Sequence, residues 1–215
     1  MQYHHYAEFV AMIAGIVTYR RWWPVAFKLL LALTILTFLV EISGHLMWKI
    51  YRLYNNWLYN LFLPVQCFLF IRFFYLISVH EKVKKAGRGL LWAMLPLMLA
   101  AYGFQPLFYT LNSYAATGYL LLMLTSSCLF YVDVIINGST VSMVQQPAFW
   151  VAAGLMFFTV VFILLFALWA ANVMIPNYGL VLKYVIITAN TLLYGGLTVA
   201  FLCQTKTMPY SLRFL

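Results

Sequence analysis

Charge is what this chain has least of. Asp, Glu, Lys and Arg make up 8% of its 215 residues, where soluble domains carry about 25%. Too few charges are present to cover a globule, which excludes a soluble fold for the chain as a whole. Acidic residues are the scarcest, four in total: Glu8, Glu41, Glu81 and Asp133. Histidines also number four, too few for a metal- or acid-rich catalytic cluster at one depth. The three cysteines, Cys67, Cys128 and Cys203, each lie inside an apolar run without metal-ligand spacing. Neither a disulfide framework nor a cysteine metal site is implied, and we expect small buried hydrophobes. The N-terminal MQYHHYAEF has no basic segment and no small-residue cleavage site, so we expect the first apolar run to be a retained span. Phosphate-cradling loops, nucleophile elbows and paired-Cys motifs are missing, and no repeat suggests an inverted-repeat transporter.

What the chain does have is apolar length. Hydrophobic residues reach 66%, with a mean hydropathy of +0.92. At roughly 20 apolar residues per crossing, seven spans and their connections occupy the sequence and leave no room for a soluble domain. We place the spans at about 5–19, 24–48, 56–79, 89–108, 114–136, 147–171 and 180–203. The runs are continuously apolar rather than alternating, which favours helices over barrel strands. Pro64 and Pro96 fall inside spans and are expected to kink them. All seven tryptophans (Trp22, Trp23, Trp48, Trp57, Trp92, Trp150 and Trp169) lie near predicted span ends, the headgroup level that indoles prefer. Short loops make successive helices neighbours, and Gly44, Gly118, Gly154, Gly195 and Gly196 offer points of close approach. The expected fold is all-α: a polytopic seven-transmembrane-helix bundle forming a single transmembrane domain.

Orientation follows from the basic residues. One set of loops holds Arg20, Arg21, Lys82, Lys84, Lys85, Arg88, Lys206 and Arg213, and the other only Lys49, Arg52 and Lys183. The positive-inside rule then puts the N-terminus outside and the C-terminus in the cytoplasm. The net charge of +9 is read as headgroup contact rather than nucleic-acid binding, since no basic face or soluble module could carry the latter. The expected partner is the lipid bilayer of the plasma (inner) membrane.

Ionisable residues inside a membrane are functional-site hypotheses. Glu41 and His45, four apart, share a helix face in the outer third of span two. Glu8 enters span one at a similar depth, and Asn56 and Asn60 open span three there. These five residues either line a pocket open to the outside or form a hydrogen-bond network locking three helices together. In span seven, Lys183, Ile187, Asn190 and Tyr194 form one stripe, with Asn190 an interhelical tie or part of a ligand path. One His and two carboxylates could ligate zinc, but no second His is placed to complete a triad, though His4 and His5 are near the terminus. We expect no metal and no cofactor. A retinal Schiff base needs a lysine near the middle of the last span, and Lys183 is at its outer end. Asn137-Gly138-Ser139 matches a glycosylation sequon but is read as a turn. Arg72 is about 24 Å beyond Asn56 along span three, at the depth of Asp133 in span five. The two either pair as a cytoplasmic lock or snorkel separately to the interface.

Glu41 with Gly44, the run Asn55-Asn56-Trp57-Leu58-Tyr59-Asn60, Pro147-Ala148-Phe149-Trp150 with Gly154, and Asn190 with Leu193-Tyr194 carry a resemblance covering most of the length. The chain resembles a group of bacterial seven-helix membrane proteins of uncharacterised role that occur beside sensor histidine kinases lacking membrane spans. The resemblance implies a signal-input or membrane-anchoring role, and it transfers no catalytic residue. We therefore expect a sensor-like module, with ligand in the outer pocket and a cytoplasmic partner, such as a sensor kinase, reading the linker from Lys82 to Arg88. A small-molecule or proton-linked transporter using Glu41 and His45 as the relay, a lipid-acting enzyme, and a structural or assembly protein are the alternatives.

Overall fold

A long apolar run can satisfy its backbone hydrogen bonds within itself only as a helix, and helices account for most of the residues the structure describes. The structure is a computed structural model that describes residues 4–104, 112–138, 142–170 and 178–204. Among these residues there are seven α-helices and no strand. They are α1 (His4–Thr18), α2 (Val25–Lys49), α3 (Asn56–Ile77), α4 (Glu81–Phe104), α5 (Ser113–Asn137), α6 (Pro147–Ala170) and α7 (Tyr178–Gln204). A 3-10 turn, Met143–Gln145, leads into α6. Five of the helices, α2, α3, α5, α6 and α7, are long and apolar enough to cross a membrane. The α1 helix is apolar but has 15 residues, about 22 Å at 1.5 Å per residue. The α4 helix is long but carries Glu81, Lys82, Lys84, Lys85 and Arg88 in its first turns.

That start of α4 differs from the charged linker expected over 80–88. Lys, Glu and Arg are good helix formers, and the His80 carbonyl accepts from the Lys84 amide as the first helical bond. The bend just ahead is held from another helix. Asp133 of α5 accepts from the Val79 amide at 2.9 Å and the His80 amide at 2.8 Å.

Six helices close a ring of neighbours in the order α1, α2, α3, α5, α6, α7 and back to α1, while α4 packs outside against α3 and α5. Glycine sets the tightest crossing, α6 against α7. A Cβ on Gly196 would lie 2.5 Å from the Trp150 carbonyl oxygen, and one on Gly154 would lie 3.1 Å from the Leu193 backbone. Gly118 and Gly44 also sit against neighbours, Leu97 and Tyr59, whereas a Cβ on Gly195 would meet nothing within 4 Å. At one end of the ring Trp23 stacks on Phe201 at 5.8 Å, joining the start of α2 to the end of α7. Trp23 is 2% exposed, so it fills the core rather than standing at the interface as its position suggested. Trp22, Trp48 and Trp92 are exposed. From Trp23 an aromatic chain continues at the same end through Phe27, Phe73, Phe74 and Phe130 across α2, α3 and α5.

Candidate functional site

The far end of the ring begins at the corner between α2 and α3. Gly44 has no side chain, and a Cβ there would fall 2.8 Å from the Tyr59 hydroxyl. The space lets the Tyr59 hydroxyl donate to Glu41 Oε2 at 3.1 Å. Asn55 Nδ2 donates to the Gly44 carbonyl at 3.1 Å, which fixes where α3 starts. The carboxylate, the phenol and the corner are thus positioned together by one missing side chain.

Beside this corner a cavity of about 370 Å³ opens inside the ring, within the roughly 300–1,000 Å³ range of small-molecule sites. Thr37 and Glu41 of α2 and Asn56, Tyr59 and Gln66 of α3 supply one wall. Leu120 of α5 closes it below, and Asn190 and Tyr194 of α7 face it from the far side. The α6 wall is Phe158, Phe162 and Phe166, spaced four apart so that they share one helix face. Phe158 and Phe162 pack at 4.4 Å between ring centroids. The result is an apolar, aromatic chamber with a few convergent polar groups, Glu41 being the charged type among them.

Of the residues singled out from the sequence, Glu41, Asn56, Asn190 and Tyr194 line this cavity. Glu8 is 1% exposed and sits behind the wall, within electrostatic range of Glu41, Tyr59 and Tyr194. Its Oε2 is 3.5 Å from His5 Nδ1, and His5 packs edge-on to His45 at 5.7 Å. His45 therefore joins a second polar group next to the cavity rather than lining it. Asn60 is turned elsewhere. Its Oδ1 accepts from the Asn112 amide at 3.0 Å, at the start of α5. It stands about 100° around the helix from Tyr59, on the edge facing α4 and α5. Asn190 donates through Nδ2 to the Ile186 carbonyl of its own helix at 2.9 Å, and Lys183 is exposed.

Tyr59, Gln66 and the α6 phenylalanines escaped the sequence reading. The signal was nonetheless there: Asn56, Tyr59, Leu63 and Gln66 follow helical spacing, as do Phe158, Phe162 and Phe166. Aromatic residues in apolar runs are so common that spacing alone does not separate a cavity wall from ordinary packing.

At the opposite end the Arg72–Asp133 ion pair does not form. Asp133 is 5% exposed and spends its carboxylate on the two amides before α4. Arg72 instead lies over the Tyr75 ring, 4.9 Å from its centroid. Lys82, Lys85 and Arg88 are exposed on the first turns of α4, and Lys84 is half-buried. Gly138 ends α5 in a left-handed conformation, φ 57°, a turn-forming role for the middle of the Asn-Gly-Ser sequence. Among the described residues no group of three His, Cys, Asp or Glu side chains is placed to hold a metal ion. No protein-family model, no curated protein and no solved structure matches this chain.

Proposed function

We propose that this chain is a multi-pass protein of the plasma (inner) membrane in which all seven helices cross, N-terminus outside and C-terminus cytoplasmic. In this reading it is a sensor-like module that binds a small organic cation in the aromatic cavity. The observation that carries the reading is the cavity itself: Glu41, oriented by Tyr59, at the polar end of a chamber walled by Phe158, Phe162 and Phe166. A carboxylate beside aromatic faces suits a cation with an apolar body. Support for seven crossings comes from apolar side chains exposed on the short helix and on the charged one, Val10, Ile13 and Val17 on α1 and Trp92, Leu95 and Leu99 on α4. A short helix is accommodated by local thinning of the bilayer at modest cost.

A route to the cytoplasmic end is built into α5. Leu120 lines the cavity, and Asp133 of the same helix holds the bend that starts the basic turns Lys82 to Arg88. A ligand that binds two arrangements of α5 with different affinity shifts their balance, and a cytoplasmic partner such as a sensor kinase reads the result there. The test uses phenyltrimethylammonium as a probe on the purified chain in nanodiscs. Thermal stabilisation of the wild type and its loss in Glu41→Gln is the expected result. Equal behaviour of the two proteins, or no response to a panel of organic cations, defeats the cation reading. A Glu41→Gln, His45→Ala double variant with intact folding and intact cellular response removes the cavity from function altogether.

Transport is the second reading, favoured by the convergence of His5, Glu8, Glu41 and His45 at one end. Proton or solute flux in proteoliposomes separates the two, because a receptor shows none.

A further inference from the structure

A second concavity lies outside the ring, on the face shared by α3 and α4, and is independent of the interior cavity. It is a groove of about 760 Å³, walled by Leu61, Val65 and Phe68 of α3 and Leu91, Leu95 and Met98 of α4. Arg88 stands at one end and Tyr102 at the other. The groove runs about 21 Å from Arg88 to Tyr102 at 1.5 Å per residue, and its aliphatic stretch, from Arg88 to Met98, takes about 15 Å of that, half of a hydrocarbon core about 30 Å thick.

The Arg88 end is a built cluster. Gly87 is buried against Tyr75, where a Cβ would meet the ring at 3.6 Å, so the two helices approach closely there. This brings Arg88 Nη2 to 3.4 Å from the Tyr75 hydroxyl, to which it donates. The Arg72 guanidinium covers the same ring at 4.9 Å, and Lys84 is within electrostatic range of the same residue. Three cations from two helices therefore share one tyrosine. Glu81 is within electrostatic range of Arg88, but among the described residues no carboxylate forms an ion pair with any of the three. Cations gathered this way repel one another and leave guanidinium donors suited to phosphate oxygens.

We propose that the α3–α4 groove is a site for an anionic phospholipid, with the phosphate held by Arg72, Lys84 and Arg88 and one acyl chain laid along the groove. Charge and length argue together: the cationic cluster is at one end only, and the apolar stretch leading from it is one leaflet deep. A zwitterionic lipid fits the groove equally well but gains less at the cluster, so headgroup charge decides occupancy.

The experiment uses the full chain purified in detergent, titrated with phosphatidylglycerol or phosphatidylcholine and read by native mass spectrometry and by the shift in Tm. Phosphatidylglycerol is expected to bind about tenfold more tightly, the margin of one or two charge-assisted contacts. An Arg72→Gln, Arg88→Gln double variant abolishes that preference while the protein stays folded, since both changes are outside the packed core. Leu95→Trp, which fills the groove, lowers the binding of both lipids. Equal affinity for the two lipids, or a preference that survives the double variant, overturns the proposal. So does the same shift in Tm from inorganic phosphate alone, which makes the cluster an anion site without a lipid. A dimer that forms through the groove and excludes lipid assigns the face to a second copy of the chain and also overturns it.

Discussion

The Tyr102 hydroxyl of α4 donates at 3.3 Å to the Asn60 carbonyl of α3, the carbonyl that Pro64 leaves without its intrahelical amide. A proline kink in one helix is thus answered by a side chain from its neighbour, as expected where no water reaches the freed group. Tyr102→Phe should destabilise the fold by about 1 kcal/mol, the net worth of a typical hydrogen bond. Pro64→Ala returns an amide to Asn60, so the same tyrosine change should cost less in that background. An SDS titration of the four proteins in mixed micelles gives the coupling, and strictly additive costs would remove the relationship.

The α6–α7 crossing leaves no room for a methyl group at Gly196, because the contact is backbone carbonyl rather than a movable side chain. Gly196→Ala should destabilise by about 1–3 kcal/mol, the usual cost of overpacking. Gly195→Ala next to it, facing open space, should stay within about 0.5 kcal/mol of wild type. Melting in detergent compares them directly.

Asp133 supplies the acceptor for the Val79 and His80 amides in the bend before α4. Asp133→Ala should cost about 1.5–3 kcal/mol, the usual worth of hydrogen bonds to a charged group. It should also speed hydrogen exchange at those two amides specifically. Arg72→Gln should add to it within about 0.5 kcal/mol, because residues without a shared contact behave independently. Strong coupling between the two would bring back the ion pair.

Topology is open to labelling. In a cysteine-free background, a cysteine at Tyr54, 64% exposed between α2 and α3, should react with an impermeant maleimide on intact cells. A cysteine at Lys85, exposed at the start of α4, should react only after permeabilisation. The reverse pattern would invert the orientation that the basic residues imply.

Helix positions were readable from sequence because each apolar run has one workable conformation, and its ends are marked by Pro24, Asn55-Asn56 and Pro147. The start of α4 was not, since Glu81 to Arg88 reads equally as a solvated loop. What makes it helical is partly local propensity and partly Asp133, which is 52 residues downstream of Glu81 and invisible to any local pattern. The same division runs through the site. Glu41 and Asn56 stood out because polar groups in apolar runs are rare, whereas Tyr59 and the Phe158, Phe162 and Phe166 wall looked like packing. Asn60 shares a face with Asn56 by spacing, yet Asn112 draws it to the other side of the cavity edge.

By itself, then, the sequence determined that this protein is helical and that several of its helices are long and apolar enough to cross a membrane. Both follow from the cost of exposing apolar side chains to water and bare peptide groups to hydrocarbon. Only the tertiary structure decided which helices close the ring and which one stays outside. It also decided that Asp133 serves backbone amides instead of Arg72 and that Gly44 makes room for Tyr59 to reach Glu41. Such choices depend on contacts between segments far apart in the chain, where a single missing Cβ or a single freed carbonyl selects the partner.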